Sequence, residues 1–358
     1  MNEAMNDKVL QKDLEYIANY IADNLSLTNE KILVSGATGL VGSILIKSIL
    51  CYNRIFNKNV MVIGLARSKQ KVEEVYGVIS NSKYLQLIYK DIRDLNSLDF
   101  KDINIDFIIH TASATNSSFF VEHPVETIEI SVLGTNQILK IATEKNIKSM
   151  VYLSSMEVYG KTKNSEKRTT EGDLGFIDLR NVRSSYSEGK RISECMCVAY
   201  AEEYNTPVKI ARLSQTFGAG ILLKYENRIF AQIVKSVLEQ RNVVLHTLGE
   251  SIGNYCDTRD TVIAILILLF KGVNGEAYNI CNEESTVKIR DMAEMVCREI
   301  SNGSISIEYD IPSNIKTFGY APDVPLKLSS SKMKNLGWKP QISLKESFER
   351  MIQSSQSN

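Results

Sequence analysis

Short runs of β-branched and other apolar residues alternate with longer amphipathic stretches through the first two-thirds of the chain. Lys31–Ser35 (KILVS), Val60–Ala66, Tyr84–Tyr89, Asp106–His110, Met150–Leu153 and Val208–Arg212 carry too few polar positions to leave one face wet, the mark of strands covered on both faces. Between them, Leu40–Cys51, Pro124–Lys145 and Tyr186–Tyr204 have the length and 3.6-residue period of crossover helices. Such alternation predicts an α/β fold, a doubly wound parallel sheet with helices on both faces. Ahead of the first strand, Leu10, Leu14, Ile17, Ile21 and Leu25 fall on one face of a helix over Lys8–Leu25. This predicts an N-terminal helical extension over residues 1–30, docked on its own domain or, alternatively, on a second subunit. After residue 213 the rhythm loosens into helices near Ile229–Gln240, Thr258–Lys271, Val287–Ile300 and Leu344–Ile352 and a strand near Val243–Leu248. Pro312, Pro322, Pro325 and Pro340 mark this part as loop-rich. The expected organisation is a main domain over 31–213, rejoined by about 250–280, and a smaller C-terminal α/β lobe from 214–249 and 281–358.

Composition narrows the class. Among 358 residues, 42 basic and 42 acidic side chains cancel, which leaves no electrostatic footprint for nucleic acid or an anionic membrane. The longest apolar run, Val262–Phe270, is nine residues, well short of the ~20 that span a bilayer. The opening MNEAMNDKVL lacks the basic start and apolar core of a signal peptide. Six cysteines form no CxxC pair or zinc spacing, and three histidines are scattered. The expectation is a soluble cytoplasmic protein with reduced thiols and no metal site.

Directly after the first strand comes Gly36-Ala37-Thr38-Gly39-Leu40-Val41-Gly42, then a helix. A strand turning sharply into a helix offers free backbone N–H groups and the positive end of the helix dipole. Gly36 permits the turn, Gly39 lets a pyrophosphate approach, and Gly42 lets helix and strand pack closely. In this setting the motif predicts a dinucleotide-binding Rossmann domain, with Thr38, Leu40 and Val41 in the cradle. At the end of the second strand an acid would bond a ribose 2′-hydroxyl, whereas an arginine suits a 2′-phosphate. Arg67-Ser68-Lys69 stands there, which leans toward NADP, with adenine stacking or a solvated side chain as the alternatives for Arg67. Asp91 and Ile92, after the third strand, are candidates for the adenine edge, Asp91 by accepting from its amino group. Ala112 and Ser113 follow the fourth strand, at the carboxyl end where open α/β sheets bind ligands.

The fifth strand runs into Ser154-Ser155-Met156-Glu157-Val158-Tyr159-Gly160, and Tyr186-Ser187-Glu188-Gly189-Lys190 opens a later helix. A four-residue interval puts Tyr186 and Lys190 on one helical face. A free phenol, with pKa near ~10, is no base at neutral pH. An adjacent ammonium and a cationic nicotinamide favour phenolate, which would make Tyr186 the acid–base group for moving a hydride between a secondary alcohol and the cofactor. Lys190 would also bond the ribose hydroxyls, and Ser155 would share the hydrogen bonds of the reacting hydroxyl.

These features, with KDIRD at Lys90–Asp94, HTASA at His110–Ala114, HPVETIEISVLGT at His123–Thr135, RSSYSEGKR at Arg183–Arg191 and the closing SKMKNLGWKP, resemble the extended short-chain dehydrogenase/reductase family over roughly residues 30–352. Its members are nucleotide-sugar epimerases, dehydratases and decarboxylases, and the UDP-xylose synthase (UDP-glucuronate decarboxylase) group is the most similar. The resemblance implies bound NAD, a nucleotide-sugar substrate and a homodimer paired through the Pro124–Lys145 and Tyr186–Tyr204 helices. It also implies a carboxylate at Glu157 that takes or returns a proton beside a transient 4-ketone.

Some positions depart from the family pattern. Dehydratases of the dTDP-glucose type have an acidic aspartate where this chain has Met156. The family's asparagine after the sixth strand is Gln215. Two arginines that clamp the diphosphate in relatives are missing, with Gly253-Asn254-Tyr255 at one place and Tyr320 at the other. Each lost charge-assisted contact is worth ~1.5–3 kcal/mol, so Arg228, and after it Arg259, are the candidate replacements. The arginine of the decarboxylases' GPR turn is Gly220. Epimerisation is therefore ranked before decarboxylation and 4,6-dehydration. An NADPH-dependent ketone reductase and a catalytically silent dinucleotide-binding module are the alternatives.

Overall fold

The computed structural model describes residues 2–162, 167–311 and 326–357. Helix α1 (Lys8–Asn24) is capped by Asp7, whose carboxylate accepts from the Val9 and Leu10 N–H groups. There follow β1 (Lys31–Ser35), α2 (Leu40–Phe56), β2 (Met61–Ala66), α3 (Lys69–Tyr76), β3 (Leu85–Tyr89), β4 (Phe107–His110), α4 (Ser117–Glu122), α5 (Pro124–Glu144), β5 (Ser149–Ser155), α6 (Ser184–Tyr204) and β6 (Val208–Leu213). The remainder comprises β7 (Gln215–Phe217), α7 (Ile229–Leu238), β8 (Val243–Leu245), β9 (Ile252–Asp257), α8 (Thr258–Lys271), β10 (Ala277–Ile280), β11 (Asn282–Lys288), α9 (Ile289–Met295), β12 (Ile307–Tyr309), α10 (Ser331–Asn335) and α11 (Leu344–Ser355).

The main sheet has seven strands in the order β10-β6-β5-β4-β1-β2-β3, all paired in parallel. The chain winds outward from β1 through β2 to β3, then returns to β4 on the other side. The carboxyl ends of β1 and β4 are therefore the switch point, where connections part and leave a crevice. Helices cover both faces, which is why β1, β2 and β4 are apolar nearly throughout. On one face α5 and α6 lie close together. A Cβ on Gly189 would come within 3.1 Å of the Ser131 side chain, and Ser193 donates to the Ser131 carbonyl at 2.8 Å.

The first helix is no appendage. Leu10, Leu14, Ile17 and Ile21 are buried in the same core cluster as α2 and α8, each contributing about 1.5–3 kcal/mol by removal from water. Asp13 pairs with Arg350 of α11, and Ser354 donates to Asp7, so the two ends of the chain are bolted together. The docking is on the chain's own domain.

Beyond β6, β7, β9 and β11 form a second sheet and β8 and β12 a third. Their core is built on Phe217, stacked on Phe230 at 4.7 Å and in contact with Phe348 at 4.9 Å. Here the sequence expectations need correction. Val287 and Lys288 end strand β11 rather than starting a helix, because they pair with Gly253 and Ile252 of β9. Helix α9 spans only Ile289–Met295 and runs into a wider turn over Val296–Ile300. The strand expected to reach Leu248 stops at Leu245. Among the described residues no helix is long and apolar enough to cross a membrane, and all six cysteines are free.

Candidate active site

A cleft of about 520 Å³ opens at the switch point, between the carboxyl ends of the main sheet and the C-terminal lobe. One wall is backbone. Gly36 turns the chain out of β1 with φ +70, and a Cβ there would stand 2.6 Å from the Thr111 hydroxyl. A Cβ on Gly42 would meet the Gly36 carbonyl at 2.4 Å. These glycines let two loops and a helix cross at van der Waals contact. Gly39, the N-cap of α2, supplies no capping side chain, and a Cβ on it would meet only the Gly36 carbonyl, at 3.3 Å. The first-turn N–H groups of α2 thus lack a side-chain cap, as a pyrophosphate cradle requires. Thr38, Gly39, Leu40 and Val41 line the cleft, whereas Gly42 lies beneath it.

The neighbouring loop is held by a buried relay. The Ser35 hydroxyl accepts from the Thr111 and Ala112 N–H groups at 3.1 and 3.2 Å, so its own hydrogen goes to Nδ1 of His110 at 2.7 Å. The hydrogen-bond pattern therefore puts the ring hydrogen on Nε2, which donates to Thr135 at 3.1 Å. Burial, with the Lys190 charge adding to it, pulls the His110 pKa down to about 3 and keeps the ring neutral. Ala112, fixed by this relay, and the following Ser113 line the cleft.

At the adenosine end, Ile92 is buried and faces Gly134, where a Cβ would come within 2.8 Å of it. Asp91 lines the cleft beside it. It accepts from Nε and Nη2 of Arg93 at 2.9 and 3.1 Å and from the Arg93 N–H at 2.9 Å, which fixes the carboxylate's orientation. Arg67 is two-thirds exposed, with Nη1 3.8 Å from Asp91. Ala4 and Met5, ahead of α1, and Leu10 within it also line the cleft. The apolar spacing predicts the helix but gives no sign that this segment reaches the cleft.

The opposite wall is made of side chains. Tyr186, on the buried face of α6, stacks on Phe120 at 4.2 Å with an interplanar angle of 8°. Ser155 lines the cleft with it and draws the phenol's pKa down; its hydroxyl accepts from the Glu157 N–H at 3.2 Å. Lys190 lies one turn on and donates to the Leu153 carbonyl at 2.7 Å. Burial pulls its ammonium down to about 8, with Glu194 and Cys197 partly offsetting. Burial pushes the Tyr186 phenol up to about 12, helped by the Glu157 charge, while Ser155, Arg228 and Arg183 draw it back. The lowering expected from Lys190 is not seen here, because burial outweighs the opposing pull of Ser155 and the two arginines. A buried ammonium needs an acceptor, and the end of β5 provides one, with the ammonium 6.0 Å from the centre of the Tyr186 ring.

Glu157 is clamped. Arg183 donates to both carboxylate oxygens, at 2.7 and 3.0 Å, and Ser187 adds a bond at 3.4 Å. To take a proton, the carboxylate would have to give up one of these charge-assisted bonds. Arg183 opens the RSSYSEGKR motif, and its place three residues before Tyr186 puts it on the same helical face. Also missed was a buried network under the turn. Ser154 donates to Glu194 at 2.5 Å, Arg212 holds Glu194 at 2.7 Å and donates to Tyr159 at 3.0 Å. Glu194, four residues beyond Lys190, was the available signal.

Deeper in the lobe, Arg228 lines the cleft. It is paired with Glu226 at 2.6 and 2.9 Å and donates to Gln215 at 3.4 Å. Burial pushes the Glu226 carboxyl up, but the Arg228 bonds outweigh it and hold it below its ordinary value. Asn254 does not join this group. It is fully buried in β9, donates to the Leu326 carbonyl at 2.7 Å and accepts from the Leu328 N–H at 2.9 Å. It is a bolt within the lobe. Arg259 is also elsewhere, 3.7 Å from Asp13 and 4.2 Å over the Tyr16 ring, where it anchors α1. Tyr320 lies outside the described residues. Among the described residues no three His, Cys, Asp or Glu side chains gather as a metal site.

Comparison with known proteins agrees with this geometry. The chain is 26% identical over 318 residues to human dTDP-D-glucose 4,6-dehydratase, covering 83% of this chain and 87% of that one. It is 28% identical over 313 residues to UDP-glucuronic acid decarboxylase 3 of Arabidopsis thaliana, covering 84% and 86%. The crystal structure of UDP-glucuronic acid 4-epimerase from Bacillus cereus, in complex with UDP-glucuronic acid and NAD, has the same fold. Its TM-score is 0.75 at 21% identity, over 91% of this chain and 99% of that one. Residues 32–281 match the profile of the NAD dependent epimerase/dehydratase family; the chain belongs to that family.

Proposed function

We propose that this enzyme oxidises a hydroxyl of a nucleotide-activated sugar, at C4, and restores it with changed stereochemistry. The observation that carries the reading is the Tyr186–Ser155 pair, which lines one cleft with the uncapped first turn of α2. A nicotinamide dinucleotide, when bound, supplies the acceptor and donor of hydride. Tyr186 takes the hydroxyl proton as the alcohol is oxidised and gives it back on return. Ser155 holds the reacting oxygen, and Lys190 exchanges its Leu153 partner for ribose hydroxyls. Gln215 and Arg228 are the candidate contacts to the diphosphate. Glu157, clamped by Arg183, orients sugar hydroxyls as an acceptor.

Epimerisation is favoured over the relatives' chemistries for a reason of proton supply. Dehydration needs an acid for the departing hydroxyl, and Met156 offers only a thioether at the cleft wall. Decarboxylation needs a proton delivered to carbon, and the nearby carboxylate is committed to Arg183. Epimerisation needs only the proton that Tyr186 handles. A single-direction ketone reductase is the second reading, favoured by the cations at the adenosine end. Incubation with UDP-, dTDP-, CDP- and GDP-sugars, followed by product NMR, tests the choice. Epimerised sugar with no net cofactor consumption supports the first reading, and loss of water or carbon dioxide contradicts it.

The assembly that suits this reading is a homodimer in the cytoplasm, paired through α5 and α6. Their outer faces expose Val125, Ile128, Leu133, Ile192 and Val198, an unusual density of apolar side chains for a free helix pair.

A further inference from the structure

The end of β5 is fastened to α6 at two successive residues. Lys190 donates to the Leu153 carbonyl at 2.7 Å. One helical turn further on, Glu194 accepts from the Ser154 hydroxyl at 2.5 Å. Leu153, Ser154, Ser155 and Lys190 line the cleft, whereas Glu194 stands behind it. Glu194 is itself locked. Arg212, the partner of Ser154 in the register of β5 and β6, donates to both carboxylate oxygens, through Nε at 3.0 and 3.2 Å and through Nη2 at 2.7 Å. Arg212 is fixed in turn by the Tyr159 oxygen at 3.0 Å and the Glu171 carbonyl at 2.8 Å. Tyr159 then donates to Asn279 of β10 at 2.6 Å. The Glu194 and Arg212 side chains are only 10% and 6% exposed. So deep an ion pair is weak support for stability by itself, which directs attention to what its carboxylate holds.

The two fastenings differ in what happens to them during the reaction. On the reading above, Lys190 gives up the Leu153 carbonyl for ribose hydroxyls. The Ser154–Glu194 bond stays, because Arg212 holds the carboxylate from behind, out of reach of any ligand. Ser155 follows Ser154 directly in the chain. A shift of about 1 Å in a group that holds a reacting atom can cost ~100-fold in rate.

We propose that Glu194 is a positioning residue for hydroxyl oxidation: locked by Arg212, it holds Ser154 so that Ser155 stays beside Tyr186 once Lys190 has turned to the dinucleotide. The inference rests on the oxidation reading and adds to it two residues, Glu194 and Ser154, that act through Ser155.

Two measurements on the full chain test it, single-turnover oxidation read at 340 nm and hydrogen exchange over residues 153–157. Ser154→Ala removes the tether and leaves the Glu194–Arg212 pair in place. It should slow oxidation about tenfold, with the sugar KM and the NAD Kd within about twofold of the parent. Ser154→Thr restores a hydroxyl and should recover the rate to within about threefold of the parent. Glu194→Gln should slow oxidation at least as much as Ser154→Ala, and the double variant should be no slower than Glu194→Gln alone, as two halves of one interaction require. Without dinucleotide, exchange in Ser154→Ala should match the parent, since Lys190 still holds Leu153. With NAD bound it should be about fivefold faster than in the parent, the effect of one lost hydrogen bond.

An unchanged oxidation rate in Ser154→Ala, additive losses in the double variant, or equal exchange of the NAD-bound forms would each overturn the proposal and leave Glu194 a purely structural group. If Glu194→Gln does not fold, the two Ser154 variants decide the matter. No rise at 340 nm in the parent with any nucleotide sugar would remove the oxidation reading, and the exchange comparison would still decide whether Glu194 holds the end of β5. Failure of the parent to bind NAD would remove both.

Discussion

The two walls of the cleft are built on different principles. The glycine wall is backbone, made by residues 36–42 and a loop crossing them at contact distance, and it is formed before any ligand arrives. The opposite wall is made of charged side chains that currently satisfy one another, Glu157 with Arg183 and Glu226 with Arg228. The first wall fits a feature common to all dinucleotides, the pyrophosphate. The second must exchange internal partners for those of a particular sugar. Recognition of the cofactor is thus a matter of shape, and selection of the substrate a matter of which ion pairs it can open.

Substitutions that add bulk to the backbone wall should have the largest effects. Gly36→Val forces a β-branched residue into φ +70 and puts its Cβ 2.6 Å from Thr111. Strain and overpacking together should cost about 2–5 kcal/mol and weaken dinucleotide binding at least ~100-fold. Urea unfolding and fluorescence titration read both. Retained affinity would break the contrast, since the wall would then be adaptable.

On the side-chain wall, Lys190→Met should lower kcat about 100-fold, within the range of lost acid–base support. It should also raise the stability of the cofactor-free enzyme at pH 7. The folded-state pKa of Lys190 is about 8, below the ordinary 10.5, so the native state binds fewer protons than the unfolded chain between those values. Parent stability therefore rises with pH across that window, and the cost of the buried ammonium, of order 3 kcal/mol, is full only below it. Denaturation between pH 7 and 10.5 should find the variant's advantage shrinking as pH rises.

Glu157→Gln should cost about tenfold in kcat by loosening Arg183. The limbs of the pH–rate profile should stay where they are, because a clamped carboxylate carries no proton in the cycle. Disappearance of a limb would make Glu157 a proton carrier and return decarboxylation or dehydration to consideration. The smallest signal is spectroscopic. With its phenol at about 12, Tyr186 should add no tyrosinate absorbance below pH 10 in cofactor-free enzyme, measured against Tyr186→Phe. Adding oxidised dinucleotide should bring that ionisation down.

The contrast between the walls also explains what the sequence could reveal. Gly36, Gly39 and Gly42 act within one turn, and Tyr186 and Lys190 within one helical turn, so spacing alone identified them. Arg183 reaches Glu157 across 26 residues and Arg212 reaches Glu194 across 18. No local pattern encodes such pairings. Long-range pairing is also why the helix expected over Val287–Ile300 starts two residues late, since Val287 and Lys288 extend only because Gly253 and Ile252 lie beside them. Asn254 was misjudged for a related reason. A polar residue at a position that binds ligand in relatives looks functional until the Leu326 carbonyl and Leu328 N–H are seen to occupy it.

The central claim is that Tyr186 moves the proton while a sugar hydroxyl is oxidised in this cleft. Stopped-flow absorbance at 340 nm, with enzyme carrying oxidised cofactor mixed against the nucleotide sugar it turns over, tests that claim most directly. The account predicts a transient rise in the parent and at least a ~1,000-fold slower rise in Tyr186→Phe with cofactor still bound. A rise of equal rate in the variant would contradict it.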